Sequence, residues 1–482
     1  MVDASSARAR KGGDDLDGAF FSSAVDVPVN PRPAFRNWQR FLLLVAFAAL
    51  LVCRLPGAWV HGRFQDEEAT VFLAYAWHYP WREALFRPFA GYWNLGATAS
   101  TVMLVQLVKN GVVPLERAPY ITMGIALLVQ LLPAVLILTG SAQWLRSRLA
   151  IVAALLIIAI APATEEVFFN VMHIQFHLAL CAALILALDV PSGRRARVAY
   201  GMLLFAAPLC GPGAIVLVPL FSLRALVDRD RHRLAQLLTL AAGAAVQLLV
   251  FYSPSPLRGT ANGLGTVAGA MFVRMIALPF LGTEEAYKAA ALIYDSQQSG
   301  GHSFWLFAAA ALIVFAVLFA VAVKRRDSAV WLLLSALSIG SVSMSIGIVT
   351  TKGIDAFSVF GSERYNFLPD VLIGLTLVTL ATRRPFRERP LYAVLCGALV
   401  MVGVLHYSKP LKDFAEGPSW PAEVGAWRAD HRHFLAVWPG RWAADLSDQA
   451  RPCSAPGTDF RRSSDPRYCE NGWLAAFFRT RN

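Results

Sequence analysis

The strongest constraint on this chain is its succession of apolar runs, many of them about as long as the hydrocarbon core of a bilayer is thick. They lie near 41–60, 92–110, 119–140, 149–163, 171–188, 198–209, 213–223, 235–251, 265–281, 303–322, 330–349, 366–382 and 391–406. Such runs leave water by entering lipid. Composition agrees: 56% of the residues are hydrophobic and only 16% charged, against roughly 25% charged in soluble domains.

The runs are separated by short basic clusters. These are Arg146 and Arg148; Arg194, Arg195 and Arg197; Arg224, Arg229, Arg231 and Arg233; Lys324, Arg325 and Arg326; and Arg383, Arg384, Arg387 and Arg389. The positive-inside bias assigns them, together with Arg8, Arg10, Lys11, Arg32, Arg36 and Arg40, to the cytoplasm. The net charge of +12 is thus a set of topology signals. It is not the aromatic-interleaved basic surface of a nucleic-acid binder, so no nucleic acid is expected as a partner. Residues 1–40 read as a basic cytoplasmic segment and the first apolar run as an uncleaved anchor.

Parity then constrains the path. An even number of crossings must separate the N-terminus from Arg146, yet three runs lie between them. One, 92–110, is therefore expected not to cross, and the same count marks 265–281. Non-crossing backbone at membrane depth needs protein or a water-filled cavity around it. The segment 198–223, broken by Pro208, Gly211, Pro212 and Gly213, reads either as a tight hairpin or as two short helices. The expected fold is an all-α polytopic bundle of roughly 11–13 embedded helices over 41–406, by the counting above. A small extracytoplasmic segment, 407–482, follows. Cys53, Cys181, Cys210 and Cys396 lie in apolar runs as packing residues. Cys453 and Cys469, in the tail, have the compartment for a disulfide.

The expected outer segments carry the candidate chemistry. The first, 61–91, contains Arg63 and then three acids, Asp66, Glu67 and Glu68. An amphipathic stretch follows, with Ala69, Phe72, Leu73, Ala76 and Trp77 on one face, expected to lie in the interface with that face in lipid. Asp66 suits a helix N-cap and the glutamates its first turn. Acids beside a bilayer are also costly unless paired or functional. The second segment offers Glu165 and Glu166, then His173, Gln175 and His177. The two histidines share a helical face, but Ile174 stands where a zinc HExxH motif needs glutamate. The third offers Lys352, Asp355, Arg364 and Tyr365. Arg364 suits a bidentate phosphate contact or an interfacial anchor equally. Tail tryptophans, Trp420, Trp427, Trp438 and Trp442, suit sugar faces as well as ordinary packing.

These features together resemble the GT-C superfamily of membrane glycosyltransferases. The resemblance rests on a first transmembrane helix followed by FQDEEATVFLAYAW, Phe64 to Trp77, with Glu165-Glu166 in the next outer loop and Arg364-Tyr365 late in the chain. It implies sugar transfer from a polyprenyl-phosphate-linked donor, within the membrane lipid, to an extracytoplasmic glycan, lipid or protein acceptor. It further implies that the first-loop acids hold the catalytic base, Asp66 with Glu67 as competitor. Arg63, Glu165, Glu166, His173, Gln175, Lys352, Arg364 and Tyr365 would then bind substrate. No cofactor is required on that pattern, with magnesium or manganese an option through clustered acids. The abundance of Ala, Leu and Arg suits a bacterial cytoplasmic membrane. A transporter or flippase of a lipid-linked sugar is the competing expectation, with deep charges such as Arg54 and Arg274 as its signature. A non-catalytic assembly subunit is a third.

Overall fold

The computed structural model describes residues 34–251, 261–301, 304–325, 328–348, 353–360, 362–382, 389–440 and 442–447. These residues are almost entirely helical. Eight helices have the length and apolarity to cross a membrane: Asn37–Arg54, Leu115–Thr139, Arg231–Val250, Leu264–Leu281, Trp305–Lys324, Ser328–Gly347, Arg364–Thr382 and Arg389–Tyr407. Three shorter apolar helices, Leu95–Lys109, Arg148–Ile160 and Ile174–Ala187, accompany them. The chain is an all-α, multi-pass membrane protein.

The shorter helices are the informative ones. Leu95–Lys109 has 15 residues, a length of roughly 22 Å at the α-helical rise. That falls short of a bilayer core, as do the 13-residue helix Arg148–Ile160 and the 14-residue helix Ile174–Ala187. Asn94 caps it, accepting from the Ala97 N–H at 3.2 Å, and ties it to the next loop by donating to the Met172 carbonyl at 2.8 Å. Just before it, the Gln247 side-chain amide grips the Trp93 backbone at both ends. Its oxygen accepts from the Trp93 N–H at 3.0 Å and its nitrogen donates to the Trp93 carbonyl at 2.7 Å. Non-helical backbone is thereby satisfied by protein, as lipid requires.

Leu264–Leu281 differs from expectation. It has the length of a crossing, 18 residues, and it contains a π-helical turn, Val273–Ala277, that carries Arg274. The broken segment is helix Arg194–Cys210, a 3-10 stretch Pro212–Leu217 and helix Val218–Asp228. The break has a steric role. A Cβ on Gly211 would lie 1.7 Å from the Gln175 side-chain oxygen, so the glycine leaves room for Gln175 in the conformation that reaches Tyr92.

The first loop corrects a second expectation. Glu68–Leu73 and Ala74–His78 are helical, but Ala69, Phe72, Leu73 and Ala76 are buried in protein, not laid in lipid. Their face packs in one core with Val102 and Val105 of the short helix and with Trp420, Val424, Leu435, Val437 and Trp442 of the C-terminal segment. That segment comprises helix Trp420–Ala429 and an antiparallel hairpin, β1 (Leu435–Val437) and β2 (Trp442–Ala444), with Val437 opposite Trp442. Trp420 donates its indole N–H to the Leu115 carbonyl at 2.8 Å, and Arg428 pairs with Glu116 at 2.9 Å. Residues 407–447 are thus built onto the first loop. Cys453 and Cys469 lie outside the described residues.

Candidate active site

Three segments distant in sequence meet around Asp66. The first is the turn at the start of the Glu68–Leu73 helix. Asp66 adopts a left-handed backbone conformation, φ 41°, which aspartate tolerates better than most residues but which still needs support. Its N–H donates to the Trp438 carbonyl at 2.7 Å, and its own carbonyl accepts from the Thr70 hydroxyl at 3.2 Å. Asp66 is therefore not the side-chain N-cap that its position suggests; the helix start shows no side-chain cap. Gln65 donates to the Asp66 carboxylate at 3.2 Å and accepts from Asn170 at 3.1 Å, joining the first loop to the second.

The second segment is the loop around the 3-10 turn Glu165–Val167. Its two glutamates diverge. The Glu166 carboxylate accepts from the Arg364 backbone N–H at 2.9 Å with one oxygen and from the Arg364 guanidinium with the other. His173 flanks it, with Nε2 3.9 Å from the Glu166 carboxylate and Nδ1 2.8 Å from the Glu166 carbonyl. A carbonyl only accepts, so Nδ1 carries the proton. Glu165 turns away, to Arg54 at 3.2 Å and His406 at 3.0 Å. Arg54 also donates to the Ala159 and Ala161 carbonyls, each at 2.7 Å, closing the end of helix Arg148–Ile160.

The third segment delivers Arg364 and Tyr365 at the head of a membrane helix. Arg274 fixes that segment, donating to the Ser362 hydroxyl at 2.7 Å, the Ser362 carbonyl at 3.1 Å and the Asn366 side chain at 3.1 Å. The Arg364 side chain remains 30% exposed, with its guanidinium 5.1 Å from the Tyr365 ring centre. Tyr92, which sequence reasoning did not single out, completes the wall. Gln175 donates to its hydroxyl at 3.3 Å, and it lies within electrostatic reach of Glu67, Arg364 and Tyr365.

The acids hold different protonation tendencies. Burial, then repulsion from Glu67 and Glu166, lifts the Asp66 carboxyl well above the usual range, against the pull of Gln65 and Arg364. Burial raises Glu67 as well, despite Arg364. Glu166 goes the other way: burial opposes ionisation, but Arg364 outweighs it, through its charge and its two hydrogen bonds, and holds the carboxyl low. Burial drops His173 to about 4, so it is neutral near pH 7. The result is an anchored anion–cation pair, Glu166–Arg364, beside two carboxyls of raised proton affinity.

The structure thus brings together Asp66, Glu67, Glu166, His173, Gln175, Arg364 and Tyr365. Two further candidates sit apart from this wall. Arg63 is fully buried and donates to the Phe168 carbonyl and, at 3.3 Å, to the Phe414 carbonyl. Its guanidinium joins the first loop, the second loop and the C-terminal segment. Glu165 is held by Arg54 and His406 as described, so it does not point with Glu166 toward a shared cation. Lys352 lies outside the described residues. Glu68, the third acid, is a strut, accepting from the Gln65 N–H and the Val171 N–H, each at 3.2 Å. No protein-family model matches the chain, and no curated protein or solved structure matches it.

Proposed function

We propose that this chain is an inverting membrane glycosyltransferase of a bacterial cytoplasmic membrane. It moves a sugar from a polyprenyl-phosphate carrier to an acceptor hydroxyl on the extracytoplasmic side. The observation that carries the reading is the pairing of a buried carboxyl of raised proton affinity, Asp66, with a partly exposed, anchored arginine, Arg364.

The chemistry follows from those two groups. The acceptor hydroxyl attacks the anomeric carbon as its proton passes to the Asp66 carboxylate. A glycosidic C–O bond forms while the bond from the anomeric carbon to the phosphate oxygen breaks, and polyprenyl phosphate departs with the electron pair. The leaving group is an anion already, so it needs a cation more than a proton. Arg364 supplies it, with geometry suited to phosphate. Glu67 is the competing base. Tyr92 and Tyr365 offer faces for the sugar ring, and Gln175 a hydrogen-bonding edge.

A flippase for lipid-linked sugar is the second reading. It is favoured by Asp370, a buried carboxyl in the membrane helix Arg364–Thr382 with neither oxygen hydrogen-bonded within the described residues. One experiment divides the two. Purified protein in liposomes is given a polyprenyl-phosphate sugar and an acceptor extract, and both sugar transfer and lipid translocation are followed. The transferase reading expects transfer that Asp66→Asn abolishes. Translocation without cleavage of the donor supports the flippase instead.

A further inference from the structure

The base sits at the centre of a backbone junction that reaches the far end of the chain. Asp66 donates its N–H to the Trp438 carbonyl at 2.7 Å, and Trp438 donates its own to the Phe64 carbonyl at 3.0 Å. This is a parallel bridge between Gln65 and Trp438, made by the connection between β1 and β2. It grips a residue held at a left-handed φ of 41°, which needs external support.

The Trp438 side chain fixes the bridge from behind. It is buried, and its indole N–H donates to the Pro418 carbonyl at 2.9 Å. Its ring lies against Gly417, where an added Cβ would come within 2.6 Å of the ring, and under the Arg63 guanidinium at 5.9 Å. Rings cannot yield as flexible chains do, so Gly417 and Trp438 interlock. On the same face Phe64 meets Trp420 edge-on at 4.7 Å.

We infer that the C-terminal hairpin is a positioning element of the active site, with Trp438 holding the Asp66 carboxylate in its working orientation through the backbone bridge. The inference rests on the reading of Asp66 as the base. Trp438 itself touches no reacting atom. Its effect belongs on the chemical step, because a misaimed base costs rate while donor binding at Arg364 is untouched.

The test uses Gly417→Ala, at an exposed position outside the site, with Trp438→Ala and Trp438→Phe. Each is purified as the full chain in detergent. Activity is normalised to folded protein by thermal unfolding, and backbone hydrogen exchange is read at residues 64–68. For Gly417→Ala and Trp438→Ala the expected result is faster exchange at the Asp66 amide and a kcat at least tenfold lower, with donor KM within about twofold of wild type. Trp438→Phe, which keeps an aromatic ring in the slot, recovers most of the rate. If Gly417→Ala and Trp438→Ala lose activity only in proportion to folded protein, or keep full protection at Asp66, the positioning inference is overturned. Asp66→Asn separates the two levels. Wild-type transfer by that variant removes the base assignment itself, whereas an inactive Asp66→Asn beside a fully active Gly417→Ala removes only the role of the hairpin.

Discussion

Arg364 holds Glu166 from two directions, its backbone N–H on one carboxylate oxygen and its guanidinium on the other. The pair locks the head of a membrane helix to the second loop and leaves the Arg364 side chain partly exposed. Arg364→Ala should therefore cost stability as well as function, roughly 2 kcal/mol for stranding a buried carboxylate. Arg364→Ala combined with Glu166→Ala should be less destabilised than Arg364→Ala alone. Thermal unfolding in detergent of the single and double variants measures this, and strict additivity would refute the coupling.

The same arginine sets donor affinity in the proposed reaction. Arg364→Lys keeps the charge but loses the fork that grips two phosphate oxygens. Donor KM should rise roughly tenfold, equivalent to about 1.4 kcal/mol. Initial-rate kinetics at varied donor concentration check it; an unchanged KM with a lowered kcat would move Arg364 away from the donor phosphate.

Glu165 gives the opposite pattern. Its pairing with Arg54 and His406 lies away from the Asp66 wall, so Glu165→Gln should destabilise by roughly 3–5 kcal/mol through the uncompensated Arg54 charge. Its donor KM, measured on the folded fraction, should stay at the wild-type value. A raised KM without loss of stability would return Glu165 to the substrate site.

Stability should also depend on pH in a signed way. Burial, against hydrogen bonds from Val171 and Gln65, raises Glu68 to about 7 from an ordinary 4.5. The folded protein then keeps a proton that the unfolded chain releases above 4.5, so this group's contribution falls as pH rises from 4.5 through 7. For Glu165, burial is outweighed by Arg54 and His406, and the carboxyl falls to about 2. Its contribution is full above 4.5 and is lost as pH drops toward 2. Glu68→Gln should flatten the stability profile between pH 5 and 7, measured by thermal unfolding across that range. Identical slopes in variant and wild type would contradict the assignment.

Much of the membrane architecture was legible because apolar length and basic clusters are local signals. The stretch from Ala69 to Trp77 was misread for a physical reason: an amphipathic face looks the same whether lipid or a protein segment covers it, and here the covering segment lies at the other end of the chain. Among the site residues, acids and arginines stood out because only 16% of the chain is charged. Residue type did not separate Arg364, partly exposed beside Glu166, from Arg63, whose donors go to carbonyls. Nor did it separate Glu166 from Glu165, adjacent residues whose side chains diverge. Tyr92 carried no sequence signal, and Trp438 stood out only as one of four tail tryptophans, because its bridge to Asp66 comes from long-range pairing. Asp370 did carry one, an acid after Pro369 inside an apolar helix, and it was overlooked.

The grip of Gln247 on Trp93 has a consequence for biogenesis. These partners are 154 residues apart, so the short helix leaves the ribosome long before the amide that secures its entry has been synthesised. Until helix Arg231–Phe251 is inserted, the peptide groups at Trp93 lack their bonding partner. The wall that includes Tyr92 is therefore consolidated late in synthesis, and a nascent chain arrested before Gln247 would carry Asp66 and Glu67 without that wall secured beside them.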